Sequence, residues 1–230
     1  AGLTAAKSLA IQGYDTHIIE KKEYLGGEAL KLFKTAQGED VGERLAELVQ
    51  SIEANDKITI HTNTTLENVE GFVGNFKSVL KTGDKTQELE HGVAVLATGA
   101  KASVPTEYGF GKDDRIISTL DLDKLLKEND SRLAAANTAV FIQCVGSREP
   151  ARPYCSRVCC THSVDNAIAL KKNKPSMDVF ILYRDIRTYG ERELLYKEAR
   201  ELGVIFIRYE VDKKPVVTIE KEHIKISLND

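Results

Sequence analysis

The chain has 230 residues, of which 32 are Lys or Arg and 35 are Asp or Glu, giving a formal net charge of -3 at pH 7. A chain of this length can bury the core of one large domain or of two small ones. Because the charge is small and spread along the sequence, it gives no electrostatic reason to expect binding to nucleic acid or to an anionic membrane. We therefore expect a soluble protein that binds small ligands or protein partners.

The hydropathy pattern bears on the compartment. No apolar run approaches the roughly 20 residues that a membrane-spanning helix requires. No secretory signal is visible at the start of the sequence. We therefore expect no direct membrane insertion and a cytoplasmic location, where thiols stay reduced.

The first 20 residues fit the second half of a dinucleotide-binding turn. In this interpretation Gly2 is the last glycine of a G-x-G-x-x-G turn, Leu3 to Gln12 form the helix, and Tyr14 to Ile19 form the next strand. Glu20 lies 18 residues after Gly2, close to the ~20 at which an acidic side chain reaches a ribose hydroxyl. Small residues at the turn let a pyrophosphate approach the helix N-terminus. An amphipathic helix followed by a strand that ends in a charged residue fits the same letters.

Two further stretches favour nucleotide binding. "LGG" at Leu25 to Gly27 follows the acid directly, and paired glycines let a chain pass close to a cofactor. "VAVLATGA" at Val93 to Ala100 has the pattern of a buried strand that ends in a small turn. Between them, "KITIHTNTTLENVEGFVGNFKSVLKT" alternates and carries glycine breaks, which predicts a β-meander. This order of elements is typical of a flavoprotein.

On these motifs the chain resembles the flavoproteins with two dinucleotide-binding domains. The resemblance implies FAD as a cofactor, with Leu66 placed where a backbone group meets the adenine. Because the first strand and the first two glycines of the motif are not in the sequence, we expect flavin binding to need a preceding strand, and the domain to be truncated at its N-terminus. The residues implied in FAD binding are Gly2, Glu20, Lys21, Gly26, Gly27, Leu66, Ala97, Thr98 and Gly99.

Residues 101–137 are predicted to be a connector that contains one helix. In "STLDLDKLLKEND" either Ser118 or Thr119 fits an N-cap, and Leu122, Leu125 and Leu126 then fall on one face of the helix. We expect this face to pack against the rest of the protein.

The second half of the sequence repeats the α/β pattern. A strand running into a turn, at Thr138 to Ser147, is followed by helix, strand, helix and strand, as in "SVDNAIALKKN", "MDVFILYRD", "ERELLYKEARELG" and "VIFIRYE". Such a series builds a parallel sheet. In a nicotinamide-binding domain the first turn would be rich in glycine, whereas here it holds Cys144 and an insertion. We therefore expect this half not to bind NADH or NADPH.

All four cysteines, Cys144, Cys155, Cys159 and Cys160, lie in "CVGSREPARPYCSRVCC". Disulfides are disfavoured in the cytoplasm, and a bridge between neighbouring cysteines would be strained. A structural zinc site needs four ligands around one ion, which adjacent side chains reach only awkwardly. A [4Fe-4S] cluster offers a separate iron corner to each thiolate, so adjacent cysteines can both bind, and this is the interpretation we prefer.

Charge near the cysteines agrees with a cluster. Arg148, Arg152 and Arg157 against Glu149 leave the segment net positive, which would offset the negative charge of a thiolate-bound cluster and raise its potential. A solvated loop explains the arginines equally well.

The cysteine segment, together with "VFILYRDIRTYGERELLYKEARELGVIFIRYE" and "GFVGNFKSVL", closely resembles the FAD and iron-sulfur subunit of the heterodisulfide reductases. The resemblance implies a protein that passes electrons, through FAD and iron-sulfur clusters, within a multisubunit anaerobic redox complex. It also implies cluster ligation by Cys144, Cys155, Cys159 and Cys160. The family carries further ferredoxin-like cysteine clusters, for which this chain has no cysteines left.

Two other polar groups have simpler explanations than function. His162 could donate a hydrogen bond to a cluster, but a histidine near a helix end more often has a local partner. Tyr183, Arg184, Asp185 and Arg187 lie at a strand end, where α/β folds bind ligands, and ion pairing is the plainer explanation. No Ser/His/Asp set or carboxylate pair stands out, and redox cofactors require none.

The sequence therefore predicts an α/β protein in two parts. Residues 1–137 would form a Rossmann-like FAD-binding domain with a meander and a connector helix. Residues 138–230 would form a second Rossmann-like unit that carries the iron-sulfur site. The rival function is a non-enzymatic scaffold or sensor, with structural zinc on a degenerate nucleotide-binding fold.

Overall fold

The computed structural model describes residues 1–35 and 37–228. The chain divides into two compact units. The first unit consists of Ala1–Leu32 and Asp40–Ala102, and the second of Phe33–Glu39 and Ser103–Asp230. The connector that the sequence assigns to the first domain thus lies with the second unit.

The first unit contains a pair of parallel strands with two helices. Helix α1 (Gly2–Ile11) agrees with the predicted helix and buries Ala6 and Ala10. Strands β1 (Thr16–Ile19) and β2 (Ile58–His61) pair in parallel. Helix α2 (Val41–Glu53), which the sequence analysis did not anticipate, begins where the Asp40 side chain accepts a hydrogen bond from the Glu43 backbone N–H at 3.0 Å.

The predicted meander is present but starts and ends later in the chain than expected. It consists of the antiparallel strands β3 (Thr64–Phe72), β4 (Asn75–Thr82) and β5 (Lys85–His91). Its first predicted strand is wrong, because Ile58–His61 is β2 and pairs in parallel with β1. At the β3–β4 hairpin Gly71 has a φ of 98°, and a Cβ there would lie 2.1 Å from the Asn75 carbonyl oxygen, so the turn requires glycine.

The strand predicted at Val93 to Ala100 is also wrong. Residues 93–118 have no helix or strand. Val93 and Leu96 are 70% and 84% exposed. The apolar letters suit a strand, but an extended segment becomes a strand only when another strand pairs with its backbone groups. Among the described residues of the first unit, none takes that place.

The connector helix forms as predicted and packs into the second unit. Helix α3 (Thr119–Glu128) is capped by Ser118, whose hydroxyl oxygen accepts from the Asp121 N–H while the Asp121 side chain accepts from Ser118. Its Leu122 and Leu126 side chains are buried in the core of the second unit. A short helix, α4 (Ser131–Ala135), follows and was not predicted.

The second unit is built on the predicted three-stranded parallel sheet. Its strands, in spatial order, are β6 (Thr138–Ile142), β7 (Asp178–Tyr183) and β8 (Ile205–Arg208). Helix α5 (Cys159–Asn173) connects β6 to β7, and a 3₁₀ turn (Gly190–Arg192) with helix α6 (Glu193–Glu201) connects β7 to β8. An antiparallel hairpin that the sequence did not predict follows, formed by β9 (Val216–Ile219) and β10 (Ile224–Ser227).

A core of apolar side chains joins α5 to the central strand of this sheet. Val164 and Ala167 of α5, with Val179 and Ile181 of β7, are 0% exposed. Burying an aliphatic side chain of this size contributes about 1.5–3 kcal/mol relative to leaving it in water. The core therefore fixes the position of the N-terminus of α5 relative to the strand ends, where the cysteine segment lies.

Within residues 1–35 and 37–228, no helix combines the length and the apolar character needed to cross a membrane.

Candidate functional site

The cysteine segment lies at the carboxyl edge of the parallel sheet in the second unit. Gln143 and then Cys144 follow the last residue of β6, and Arg184 and Asp185 follow β7 directly. Open parallel sheets bind ligands at this edge. The segment thus follows the first strand of this sheet, as expected, and its replacement of a phosphate-binding turn stays a prediction.

The turn after β6 is held in an unusual conformation. Cys144 is 8% exposed and has a φ of 59°, in the left-handed region that non-glycine residues rarely adopt. The Gln143 N–H donates to the Leu182 carbonyl at 2.9 Å, which extends the sheet ladder by one residue. The buried Tyr209 hydroxyl donates to the Gln143 carbonyl at 2.5 Å. The backbone that carries Cys144 is thus fixed from two neighbouring strands.

Helix α5 begins earlier than predicted, and this places the adjacent cysteines within the helix. Cys159 and Cys160 are its first two residues, whereas the sequence predicted the helix after them. The backbone N–H groups of a first helical turn favour negative charge. Two thiols at this end are therefore in a setting that stabilises thiolates.

The two adjacent thiols differ in acidity. The Cys160 thiol donates a hydrogen bond to the Cys159 sulfur, which is the main reason that the pKa of Cys159 is lowered to about 6. The Ser156 side chain also stabilises the Cys159 thiolate. The same hydrogen bond, together with burial, raises the pKa of Cys160. Cys159 is therefore the more acidic thiol of the pair.

Cys144 lies close to this pair, and Cys155 is turned elsewhere. Negative charge on Cys144 adds to the raised pKa of Cys160, whose thiol also faces the Asp185 carbonyl at 3.6 Å. The Cys155 sulfur accepts a hydrogen bond from the Arg157 N–H at 3.3 Å, within its own loop.

The structure therefore pairs Cys159 with Cys160, and Cys144 acts on Cys160 electrostatically. In the described part of the chain, all four are free thiols, and no three His, Cys, Asp or Glu side chains are placed as a metal-binding group. The donor chemistry suits a thiolate-ligated centre, because one thiol is acidic and a second is hydrogen-bonded to it. Convergence of all four sulfurs is not part of this structure.

Two of the predicted arginines have defined partners. Arg148 donates to Asp185 at 2.5 Å and approaches the Cys144 sulfur at 3.9 Å. Arg152 exchanges backbone hydrogen bonds with Glu149. The Glu149 carboxylate in turn pairs with Lys214 at 2.6 Å. Of these arginines, Arg148 therefore has its charge compensated by an ion pair, whereas Arg152 is held through its backbone.

His162 has the kind of partner that the sequence favoured. Its Nε2 atom lies 3.0 and 2.9 Å from the two carboxylate oxygens of Asp123. Asp123 is 2% exposed and also accepts from the Phe33 N–H at 3.3 Å. This contact links α5 to α3 and explains His162 without a cofactor.

In the first unit, the structure brings two of the predicted FAD-binding positions together. A Cβ added at Gly2 would lie 3.1 Å from the Ala97 side chain, so the start of α1 adjoins the Ala-Thr-Gly turn. Glu20 lies directly after β1, and its carboxylate accepts from the Lys22 N–H at 2.9 Å, after the intervening Lys21.

The paired glycines differ from each other. Gly26 has a φ of 110°, and a Cβ there would lie 2.8 Å from the Leu45 side chain, so packing within the unit already requires glycine. Gly27 has a φ of 57° with open space around it. Open space on this backbone is compatible with a ligand, whereas Gly26 needs none to be explained.

The remaining predicted FAD positions are exposed. Leu66 lies on β3 beside an irregularity in the β3–β4 register and is 49% exposed. Ala97, Thr98 and Gly99 are exposed, and Gly99 has a φ of 66°.

Tyr209 and Gln143 are contacts of the site that the sequence analysis missed. Tyr209 occurs in "VIFIRYE", where an aromatic residue is an ordinary strand former. Gln143 did carry a signal, since a polar residue inside an apolar strand next to a cysteine is unusual for a buried position.

The fold places the chain in a structural class. It resembles a NAD-dependent persulfide reductase from A. fulgidus, with a TM-score of 0.53, 16% identity, and coverage of 97% of this chain and 40% of that one. It also resembles an HOCl-induced flavoprotein disulfide reductase from Escherichia coli, with a TM-score of 0.54, 13% identity, and coverage of 99% and 50%. At these identities the likeness establishes the mixed α/β fold of this class and nothing finer.

The sequence relatives are more specific. The chain is 26% identical over 303 residues to an iron-sulfur subunit of the CoB–CoM heterodisulfide reductase of Methanocaldococcus jannaschii, covering 90% of this chain and 46% of the relative. It is 38% identical over 155 residues to the corresponding subunit of the ferredoxin/F420H2-dependent CoB–CoM heterodisulfide reductase of Methanosarcina acetivorans, covering 58% of this chain and 20% of the relative. The predicted resemblance to this subunit of the heterodisulfide reductases is thereby confirmed, and it supports an oxidoreductase.

The extent of the similarity limits what it transfers. The chain spans less than half the length of the relatives it matches. In the longer alignments, the matched part of the relative exceeds the matched part of this chain, so the relatives carry residues without a counterpart here. No family model matches the chain.

Proposed function

We propose that the chain is part of an electron-transfer subunit of a heterodisulfide-reductase-like complex, which passes electrons between FAD and a [4Fe-4S] cluster. The observation that carries the proposal is the cysteine segment at the carboxyl edge of the second parallel sheet. It places an acidic thiol and two neighbouring thiols where a dinucleotide-binding domain would hold a pyrophosphate.

The cluster is assigned to the four cysteines for chemical reasons. Thiolates are the ligands of iron-sulfur clusters, and a [4Fe-4S] cube takes one at each iron. Cys159 is already acidic, Cys160 is hydrogen-bonded to it, and Cys144 acts electrostatically on Cys160. Cys155 lies on the exposed part of the segment and would join them when the cluster binds. A relative is named an iron-sulfur subunit, which agrees with this assignment.

FAD is assigned to the first unit. The start of α1 at Gly2 adjoins Ala97, Glu20 ends β1, and Gly27 leaves open space beside them in the chain. The proposed contacts are Gly2, Glu20, Lys21, Gly26, Gly27, Leu66, Ala97, Thr98 and Gly99.

The chain itself supplies binding, orientation and charge. Bound FAD would exchange electron pairs and a bound cluster single electrons, so no catalytic side chain is required. Glu20 would accept hydrogen bonds from a ribose. The first turn of α5 would stabilise the thiolates of Cys159 and Cys160. The partners proposed are other subunits of a cytoplasmic redox complex, with no role for nucleic acid or membrane insertion.

The cluster is tested by anaerobic reconstitution of the 230-residue chain with iron and sulfide. The expected product is brown, with about four irons and four sulfides per chain. Cys144→Ala, Cys155→Ala, Cys159→Ala and Cys160→Ala should each remove or degrade the cluster, measured by iron content and electron paramagnetic resonance. Val158→Ala, at an exposed position in the same segment, is the matched control and should leave both unchanged.

The adjacent pair gives the sharpest result. A site with three ligands would tolerate the loss of one neighbour, so unchanged iron and an unchanged spectrum in both Cys159→Ala and Cys160→Ala would end the four-ligand assignment. A colourless protein that holds one zinc ion and no sulfide would instead favour the scaffold or sensor function.

The flavin is tested on a longer form of the protein that includes the strand expected before Gly2, by titrating FAD and monitoring the quenching of its fluorescence. Because the Glu20 carboxylate would bind the ribose, Glu20→Ala should weaken binding about tenfold or more, as expected for loss of a charge-assisted hydrogen bond. Glu23→Ala, three residues on, is the control. Equal affinities in Glu20→Ala and the wild type would remove Glu20 from the flavin site.

A further inference from the structure

Arg184 is a buried cation at the cysteine site to which the proposed function assigns no role. It follows β7 directly and is 5% exposed. Its Nη1 donates to the Arg148 carbonyl at 3.1 Å, and its Nη2 donates to the Ser147 carbonyl at 2.5 Å. Its Nε is buried without a hydrogen-bond partner. Both of its hydrogen bonds therefore go to the turn that begins at Cys144.

This arrangement is costly on its own. A guanidinium stays protonated even when buried. Among the described residues, no carboxylate forms an ion pair with Arg184, and its two acceptors are neutral carbonyls. A buried charge without a counter-ion and a buried donor without an acceptor both destabilise a protein unless the site has another use for them.

The neighbouring arginine is different. The Arg148 side chain pairs with Asp185 at 2.5 Å, so its charge is balanced within the site. It reaches the Cys144 sulfur at only 3.9 Å. The Glu149 carboxylate acts on Arg184 electrostatically but is itself paired with Lys214 at 2.6 Å, so Arg184 is the buried cation of this turn that has no ion pair of its own.

Arg184 also restrains a strained backbone. Cys144 and Arg148 have φ values of 59° and 57°, so both ends of the turn are left-handed at non-glycine residues. Such a residue costs about 1–3 kcal/mol and persists only where the surroundings enforce it. The Ser147 N–H donates to the Cys144 carbonyl at 3.3 Å, and Arg184 binds the Ser147 carbonyl on the other side of the same residue.

We propose that Arg184 is a positioning residue for Cys144, and that its unpaired charge stabilises the anionic, thiolate-ligated centre formed there. The inference rests on the proposed function for the charge, and on the hydrogen bonds alone for the positioning. The strand-end position at which an α/β sheet would contact a bound nucleotide is then used to hold the protein's own turn.

The positioning half is tested on the cluster-free chain by alkylation with iodoacetamide, quantified at each cysteine by mass spectrometry. Arg184→Met removes the charge and both carbonyl hydrogen bonds and keeps a long apolar stem. Cys144 is buried only while the turn holds, so its alkylation rate should rise about tenfold, and the rate at Cys155 should not change. Arg208→Met, at the exposed end of β8, is the matched control. Equal Cys144 rates in the wild type and Arg184→Met would overturn the positioning role.

Arg184→Lys tests the positioning role separately from the charge role. It also keeps the proposal testable if Arg184→Met fails to fold, which circular dichroism would reveal. Lysine keeps the charge but loses the planar fork that binds two carbonyls at once. Cys144 in this variant should be alkylated faster than in the wild type, and an unchanged rate would again contradict positioning.

The charge half is measured on the reconstituted chain by redox titration monitored by electron paramagnetic resonance. Arg184→Met should lower the reduction potential by an amount equal to about a tenfold change in the equilibrium constant, or ~59 mV for one electron. Arg184→Lys and Arg208→Met should stay near the wild type. A potential unchanged in Arg184→Met would refute the charge role. A wild-type chain that takes up no iron would refute the proposed function and the charge role with it, while the alkylation rates still decide the positioning.

Discussion

The two compact units hold their candidate sites in different ways. In the second unit, Cys144, Cys159 and Cys160 lie on the ends of elements that share a core, in which Val164 and Ile181 are 0% exposed. In the first unit, the Ala-Thr-Gly turn follows an apolar segment whose Leu96 is 84% exposed and whose backbone is in no sheet. Packing within its own unit therefore fixes the thiol site, whereas the Ala-Thr-Gly turn of the flavin site is exposed and adjoins Gly2.

This contrast predicts that similar substitutions change the stability of the two units by different amounts. The largest difference is expected when apolar side chains are truncated. Ile181→Ala should destabilise the second unit by about 2–5 kcal/mol, because the cavity would lie on the central strand, between the neighbouring Phe141 and Phe206. Leu96→Ala, in the first unit, should change the free energy of unfolding by less than about 0.5 kcal/mol, because water already reaches that side chain. Urea unfolding monitored by circular dichroism measures the free energy of unfolding of both variants. Equal losses would show that the apolar segment of the first unit is packed after all.

The contact between α3, α5 and α6 gives the second unit a pH dependence of its own. Burial, followed by the charges of Asp123 and Glu198, raises the pKa of Asp165 to about 6, against the opposing effect of His162. A carboxyl whose pKa is higher in the folded than in the unfolded state binds protons preferentially when folded. Its contribution to stability is therefore present below about pH 4 and is lost as the pH rises through about 6.

Asp165→Asn should abolish the loss of stability that accompanies ionisation of this carboxyl. Discounted for partial exposure of the carboxyl, the gain should be about 1–2 kcal/mol at pH 7.5 and close to zero at pH 4. Asp56→Asn, at an exposed position of the first unit, should change little at either pH. Urea midpoints measured at both pH values test the sign. A gain that is larger at pH 4 than at pH 7.5 would contradict it.

The connector helix tests where the boundary between the units lies. Ser118→Ala removes the side-chain acceptor of the capping box and should cost about 1 kcal/mol. Since α3 packs in the second unit, the loss should appear in the same unfolding transition as that of Ile181→Ala. Ser131→Ala, at the first residue of α4, keeps the Asp130 cap and serves as the control. If the loss of stability appeared only in a separate unfolding transition, the connector would instead belong to the first unit.

The same contrast explains which features the sequence could predict. Helix α1, the capped helix α3 and the strands around β7 carry local signals, namely a small-residue helix, a Ser-to-Asp capping box and buried apolar runs. The predicted strand at Val93 to Ala100 also has the right letters, but pairing depends on a neighbour that its own sequence does not specify.

The candidate site was predictable in composition and not in geometry. Four cysteines in 17 residues are visible in the sequence. Their difference in acidity is not, because it depends on a hydrogen bond between Cys159 and Cys160 within a helix that starts earlier than its propensities indicate. The contacts of Arg184 and Tyr209 with the Cys144 turn span 36 and 66 residues of sequence, and no local pattern encodes them.

The smallest expected effect is the absence of nicotinamide binding. A dinucleotide-binding unit leaves the first turn of its sheet open to the pyrophosphate and the end of the next strand free to bind the ribose. Here the first turn holds the buried Cys144, and Arg184 at the next strand end is committed to the Ser147 and Arg148 carbonyls. The thiolates of the site would also repel a diphosphate.

Calorimetric titration of the chain with NADH and NADPH should therefore give no saturable heat up to millimolar ligand. Arg184→Met, which frees the turn, should not create binding, since the cysteine segment remains. Saturable micromolar binding that disappears when the cysteine segment is mutated would mean that this edge of the sheet still accepts a nucleotide, and that the two units resemble each other more than their cores indicate.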